Sequence, residues 1–336
     1  MNTAVAYPAA SAPLSVPALE SARVVADVGG TFARLAWAQP GDDAPTLQDM
    51  QTFRCAEHAS LGAILAAFLA GRGPGPVDAV VAIAGVLQGD CLVNANLPWA
   101  VSCSATRAEA GLQSLQIIND FEAVALAVPH IRDDALAPLR GAPPHAFAWP
   151  ALVLGAGTGL GAALRLESGD VPVLPSEVGH SALAAGTPLE LDVLRLLLED
   201  GTHVANEHVL SGTGLRALYR AMARLRAQPG TCTTTEAIVA AANRGDDALA
   251  METVQVFCGW LGSFAGDLAI TFGARSVYLA GGICGHIPRF LHDGTFAARF
   301  VDKGTMGPLL ENVPVWRVDH GALGMVGAAA WRAPRR

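Results

Sequence analysis

Charge is scarce in this chain: Asp, Glu, Lys and Arg make up 15% of its 336 residues, against about 25% in an average globular protein. Hydrophobic residues reach 51%, so the low-hydrophobicity, high-charge signature of disorder is missing and apolar surface suffices for buried cores. Basic patches are missing as well. Lys and Arg number 22 against 30 Asp and Glu, a formal net charge of −8. No basic cluster precedes the terminal stretch 332–336, and the resulting field repels polyanions. Nucleic acid is therefore excluded as a partner.

The six cysteines, at 55, 91, 103, 232, 258 and 284, form no C-x-x-C pair, and a chain this long needs no disulfide staples. Reduced thiols in a cytoplasm fit best. Residues 1–22 contain three prolines and no Lys or Arg, unlike a secretory signal. They read as a loose tail. Apolar runs are short, such as 63–70 stopped by Gly71-Arg72-Gly73-Pro74, under the roughly 18 residues a bilayer crossing needs. No membrane partner is expected. Two familiar nucleotide signatures are also missing: G-x-x-x-x-G-K-[ST] does not occur, and the glycines of 155–161 recur at every second residue with no helix behind them.

What is present points to two domains, since roughly 150 residues is typical of one. Arg23-Val24-Val25-Ala26 is a β-branched run ending in Asp27-Val28-Gly29-Gly30-Thr31, and Arg34-Leu35-Ala36-Trp37 resumes an extended pattern. A helical stretch at 61–69, a glycine-proline breaker at 71–76 and a buried-strand run at 77–84 follow. Strand 114–118 stops at Asn119-Asp120, where a helix through Phe121 to Val128 begins. About 125 residues after the first turn the order restarts: strand 151–154, glycine turn 155–161, strand 162–166. Helical patterns at 189–198, 214–226, 235–242 and 248–272 lead to strand 276–280 and Gly281-Gly282. A duplicated α/β architecture is predicted. Its divisions are a tail at 1–22, a small domain at 23–118 rejoined by a C-terminal helix at 322–336, and a large domain at 119–321.

Glycine turns that directly follow strands let backbone N–H groups approach phosphate oxygens, because no Cβ stands in the way. One such turn alone is an ordinary β-turn; two facing turns can clamp a triphosphate.

The pattern resembles the actin, Hsp70 and sugar-kinase superfamily, with 27–31 as first phosphate loop, 155–161 as second, and Ala280-Gly281-Gly282 beside the adenosine. It is most similar to bacterial glucokinases of the hexokinase type. Ile117-Ile118-Asn119-Asp120-Phe121, 154–161, Pro175-Ser176-Glu177-Val178-Gly179-His180, Val209-Leu210-Ser211-Gly212 and Ala280-Gly281-Gly282-Ile283 occur in that family's order. The resemblance covers roughly residues 23–331. It implies two ribonuclease-H-like (actin-like ATPase) α/β domains with a cleft between them, and transfer of a phosphoryl group from ATP to the 6-hydroxyl of glucose. Zinc-containing relatives carry a cysteine cluster soon after the equivalent Gly-His, whereas here the next cysteine is Cys232. No zinc is expected. The tail is too short for a helix-turn-helix domain.

By resemblance Asp120 is the base that accepts the hydroxyl proton; by position alone it reads as a helix N-cap. Asn96, Asn119, Asp120, Glu177, His180 and Glu207 are the implied sugar contacts, the carboxylates giving charge-assisted hydrogen bonds. Taken singly, Glu177 and His180 also read as a surface hydrogen bond or a metal pair, Glu207 as a solvated helix face, and Trp99 as core. Nucleotide contacts are assigned to Ala26, Asp27, Val28, Gly29, Gly30, Thr31, Gly157, Thr158, Gly159, Gly281 and Gly282. Mg²⁺ is expected on the nucleotide phosphates, with no protein metal site, and the family implies a homodimer.

Several positions depart from the family pattern. Phe32 replaces an Asn, setting a bulky ring beside the phosphates. Ala95 replaces a Thr and Ser176 a Gly. Val178 replaces a Gly and, if φ is positive there, is strained by about 1–3 kcal/mol. These departures leave open a kinase for another hexose or a non-catalytic sugar-binding regulator.

Overall fold

The computed structural model describes residues 22–39, 41, 44–71, 76–93, 97–141, 148–169, 172–319 and 321–333. Asn96, the tail and the last three residues lie outside them. Among the described residues, fourteen strands form three sheets.

The first sheet holds β1 (Arg23–Val28), β2 (Phe32–Gln39), β3 (Thr46–Arg54), β4 (Asp78–Ile83) and β8 (Ser114–Ile118) in the order β3-β2-β1-β4-β8. β1, β4 and β8 are parallel, and β2 runs antiparallel to both of its neighbours, β1 and β3. A small meander of β5 (Val86–Gln88), β6 (Cys91–Val93) and β7 (Val101–Ser102) stands beside it. The second large sheet holds β9 (Leu136–Arg140), β10 (Ala151–Ala156), β11 (Leu160–Arg165), β12 (Val173–Ser176), β13 (Ser276–Ala280) and β14 (Val315–Val318), in the order β12-β11-β10-β13-β14-β9. Its first five strands repeat the order and directions of the first sheet. The predicted duplication is present at the level of topology, which is that of the two-domain actin-like ATPases.

The central strands β4, β10 and β13 are buried almost throughout, because parallel strands are covered on both faces and therefore read as unbroken apolar runs. Edge strand β3 is exposed along nearly its whole length, and its polar composition explains why sequence periodicity passes over it. The short β14 and β9 escape for want of length.

Helices α1 (Leu61–Leu69) and α2 (Cys103–Ala110) flank the first sheet. Beyond it come α3 (Asp120–Ala127), α4 (Pro188–Leu197), α5 (Gly212–Leu225), α6 (Thr235–Arg244) and α7 (Ala248–Phe272). The short α8 (Gly282–His286), α9 (Pro288–Leu291), α10 (Thr295–Val301) and α11 (Gly307–Leu310) follow in close succession, and α12 (Leu323–Ala330) is the last helix. Local chemistry sets their ends: Thr187 and Glu190 make a capping box on α4, and Asp247 caps α7, which stops at Gly273 with φ +61°. α7 is long and apolar enough to cross a bilayer, contrary to the reading that no run is, yet 72% of its apolar window is buried inside the protein. It is the core helix of the second half.

α3 and α12 lie between the two large sheets. A continuous apolar cluster runs from Val25, Ala36 and Val80 through Val124 and Met325 to Val153, Tyr278 and Trp316. The two helices pack so closely that a Cβ on Gly327 would strike the Ala123 carbonyl, and one on Gly324 would stand 2.8 Å from Asp27 Cγ. Glycine at those two positions lets α12 brace α3 and the end of β1 at once.

Candidate active site

The first glycine turn joins β1 to β2. Ala26 and Val28 have 0% and 2% of their surface exposed and point into the core, so only their backbone is available to a nucleotide, and that of Ala26 lies inside the ladder between Leu35 and Val81. Asp27 lies on the opposite face, 3.7 Å from an Arg34 guanidinium nitrogen. Gly29, Gly30 and Thr31 are exposed. The Gly29 N–H closes the turn on the Phe32 carbonyl at 2.9 Å, the Cys55 N–H holds the Thr31 carbonyl at 3.0 Å, and the Cys55 thiol donates to the Gly29 carbonyl at 3.4 Å. The Phe32 ring is 40% exposed. It lies beneath the Arg54 guanidinium, 5.4 Å from its centroid, so the departure from Asn brings a stacked cation to the edge of the turn.

The second turn, between β10 and β11, is built from its neighbours. The Gly157 N–H donates to the Gly159 carbonyl at 2.9 Å, and the Gly157 carbonyl accepts from Gly212 N–H at 2.8 Å. Glu207 reaches under it: its Oε2 accepts from Leu160 N–H at 2.8 Å, and a Cβ on Gly159 would stand 2.6 Å from that oxygen. Glu207 is thus half-buried and tied to the second glycine turn, which its expected role as a sugar contact does not account for. Gly281, with φ +95°, sits where any Cβ would collide with the Ala156 carbonyl, and Gly282 opens on empty space. That brings Gly281-Gly282 to the same end of the sheet as Gly157, Thr158 and Gly159.

Asp120 is the first residue of α3. The N-cap is not Asp120 but Asn119, whose Oδ1 accepts from Phe121 N–H at 2.9 Å and Glu122 N–H at 3.2 Å. The carboxylate of Asp120 is thereby released from capping duty and accepts from Phe121 N–H at 3.0 Å. Burial raises its carboxyl to about 6, and the negative charges of Asp27 and Glu177 push the same way. Carboxylates from β1 and the loop after β12 therefore lie near enough to Asp120 on α3 to raise its proton affinity, an environment of the kind found around proton-transfer groups.

Glu177 and His180 face each other across one turn, Oε2 to Nε2 4.0 Å, and both are more than half exposed. Val178 is not strained: residues 178–180 form a 3₁₀ turn, and the positive-φ non-glycine residues among those described are Asp49 and Ala227. The expected penalty does not arise, and one motive for a failed enzyme goes with it. Gly179 is the demanding position, since a Cβ there would strike the Leu160 carbonyl. Buried Asn206, absent from the sequence reading, donates its Nδ2 hydrogens to the Ser181 carbonyl at 2.9 Å, Ser181 Oγ at 3.0 Å and the Ala182 carbonyl at 3.3 Å. Trp99 donates to the Cys55 carbonyl at 3.2 Å and packs on the first core. Its indole therefore braces the first turn.

Leu160 joins the three turns: its N–H binds Glu207, its carbonyl abuts Gly179, and it opens the strand that leaves the second glycine turn. Comparison with known proteins gives this assembly its context. Residues 24–334 match the family model described as Glucokinase. The chain is 43% identical over 314 residues to a glucokinase-like protein of Xylella fastidiosa strain 9a5c, covering 92% of this chain and 93% of that one. It belongs to the glucokinase family. Glucokinase of Paramagnetospirillum magneticum strain AMB-1 is 37% identical, with 91% and 96% covered. A glucokinase from an Antarctic psychrotroph has the same fold at a TM-score of 0.81 and 34% identity, with 92% and 98% covered. No group of three or more His, Cys, Asp or Glu able to hold a metal ion occurs among the described residues.

Proposed function

We propose that this protein transfers the γ-phosphoryl group of ATP to the 6-hydroxyl of glucose, giving glucose 6-phosphate and ADP, with Asp120 as the base. The observation that carries the reading is the Asp120 carboxyl, raised to about 6 by burial and by Asp27 and Glu177. A base with that affinity for protons is ionised at neutral pH yet strong enough to accept a proton from an attacking hydroxyl.

Asn119, Glu177 and His180 orient the sugar. Because Asn119 spends its Oδ1 on the helix cap, it offers a hydroxyl its NH₂ donors. Glu207 has one oxygen committed to Leu160 N–H, so it serves the sugar through the other oxygen or through the turn it supports. The exposed backbone of Gly30, Thr31, Thr158 and Gly159 receives the phosphates, and Gly281-Gly282 borders the adenosine. The open space over Gly157 and Gly282 fits a nucleotide lying along this end of the sheet. Bound through the phosphates near Asp27 and Asp120, Mg²⁺ would neutralise charge developing on the transferred group. The division near 118/119, an approach of the two halves that excludes water, a cytoplasmic setting with six free thiols, and a homodimer complete the proposal. The dimer rests on the family alone.

The test is sugar-dependent ADP release by purified protein with Mg-ATP, offering glucose, mannose, fructose and glucosamine. Turnover of glucose above the others is expected. Phosphorylation of another hexose in preference would replace glucose as substrate, and sugar binding without turnover would make the protein a regulator.

A further inference from the structure

The glycines of the second turn do two different jobs. Gly157 and Gly159 form its tip, but Gly155 and Gly161 lie back in the strands, paired across the ladder from β10 to β11. Glycine inside a strand weakens it, and two in register leave a gap where side chains would normally interlock. That gap is filled from elsewhere by Phe121. A Cβ on Gly155 would stand 2.6 Å from its Cζ and 2.8 Å from its Cε1, and a Cβ on Gly161 would overlap the other edge of the ring.

We infer that Phe121 is a positioning residue that sets the separation between the Asp120 carboxylate and the second glycine turn. This rests on the reading of Asp120 as the base. Phe121 follows Asp120 directly, and its N–H donates to both the Asp120 carboxylate and the Asn119 cap. Its ring lies two residues from the turn tip on each strand, about 7 Å along the chain. One side chain therefore links base and phosphate turn with no flexible segment between them. The missing Cβ atoms let the start of α3 approach the hairpin more closely than any other residue pair allows. Phosphoryl transfer needs the hydroxyl oxygen in line with the γ-phosphorus, so a shift of about 1 Å between these groups costs on the order of 100-fold in rate.

The experiment compares Phe121→Leu, Phe121→Met and Gly161→Ala with the parent in the full-length protein, reading kcat, both KM values, thermal melting and the pH dependence of kcat/KM. Phe121→Leu is expected to lower kcat by 10- to 100-fold while both KM values stay within about threefold. Its acid limb should move below the parent's, because a smaller side chain admits water to Asp120. Phe121→Met, close to leucine in volume but unbranched and able to fill an irregular gap, should fold and lose kcat in the same direction. Gly161→Ala should lose kcat and regain part of it when combined with Phe121→Leu, which clears the space. Retention of kcat within twofold in folded Phe121→Leu or Phe121→Met, whatever the melting temperature, would overturn the inference. Asp120→Asn runs alongside: if that variant keeps full activity, the base assignment itself has failed, an outcome distinct from any behaviour of Phe121.

Discussion

Asp120 carries an electrostatic cost in the folded state. Its carboxyl is raised from 3.8 to about 6, so the ionised form is disfavoured in the folded state. The sign follows: the penalty is absent below pH 3.8, grows as pH rises to about 6, and is full above it. Two pKa units correspond to at most about 3 kcal/mol. Asp120→Asn should therefore melt higher than the parent at pH 8, the gap shrinking as pH falls to 5, while kcat drops by about 10²–10⁴. Differential scanning calorimetry and steady-state kinetics check the two halves. In the parent, kcat/KM for glucose should fall on the acid side with a midpoint of about 6, and a flat profile from pH 5 to 8 would remove Asp120 from the proton transfer.

At the scale of elements, the loop after β12 holds Glu177 and His180 on a 3₁₀ turn anchored from below by Asn206. Asn206→Ala leaves the Ser181 and Ala182 carbonyls without that donor, a loss of about 1–3 kcal/mol for buried polar groups. Glucose KM is expected to rise severalfold while ATP KM and kcat hold, as kinetics at varied glucose would show. Motif order picks out Glu177 and His180 but misses Asn206, whose neighbours Glu207 and His208 look more chemical. Its burial depends on a contact 25 residues away in the chain. The N-cap assignment fails similarly: Asn and Asp are near-equal caps, and only the φ/ψ of each in the fold separates Asn119 from Asp120.

For the whole molecule, α12 returns from the C-terminus to wedge against α3 and β1, closing the core between the sheets. Gly327→Ala drives a methyl into the Ala123 carbonyl. A loss of about 1–3 kcal/mol is expected, read as a lower melting temperature, with reduced kcat because α3 bears Asp120. Ligand linkage offers an independent check. Glucose at 100 times its dissociation constant should stabilise the fold by about 2.7 kcal/mol, and a melting temperature unmoved by glucose would contradict sugar binding at this site.

Strand, glycine turn, strand, twice over, was decided by sequence alone, because turn glycines and buried parallel strands are local chemistry read from neighbouring residues. The 25-residue helix α7 was equally plain from its apolar residues at helical spacing. Tertiary structure alone decided which glycines open on empty space and which face protein. Gly155 and Gly161 are shaped by Phe121, Gly179 by Leu160, and Gly327 by Ala123. A missing Cβ looks the same in a sequence whether a phosphate or a distant side chain occupies its place, and only the folded chain brings the occupant into contact.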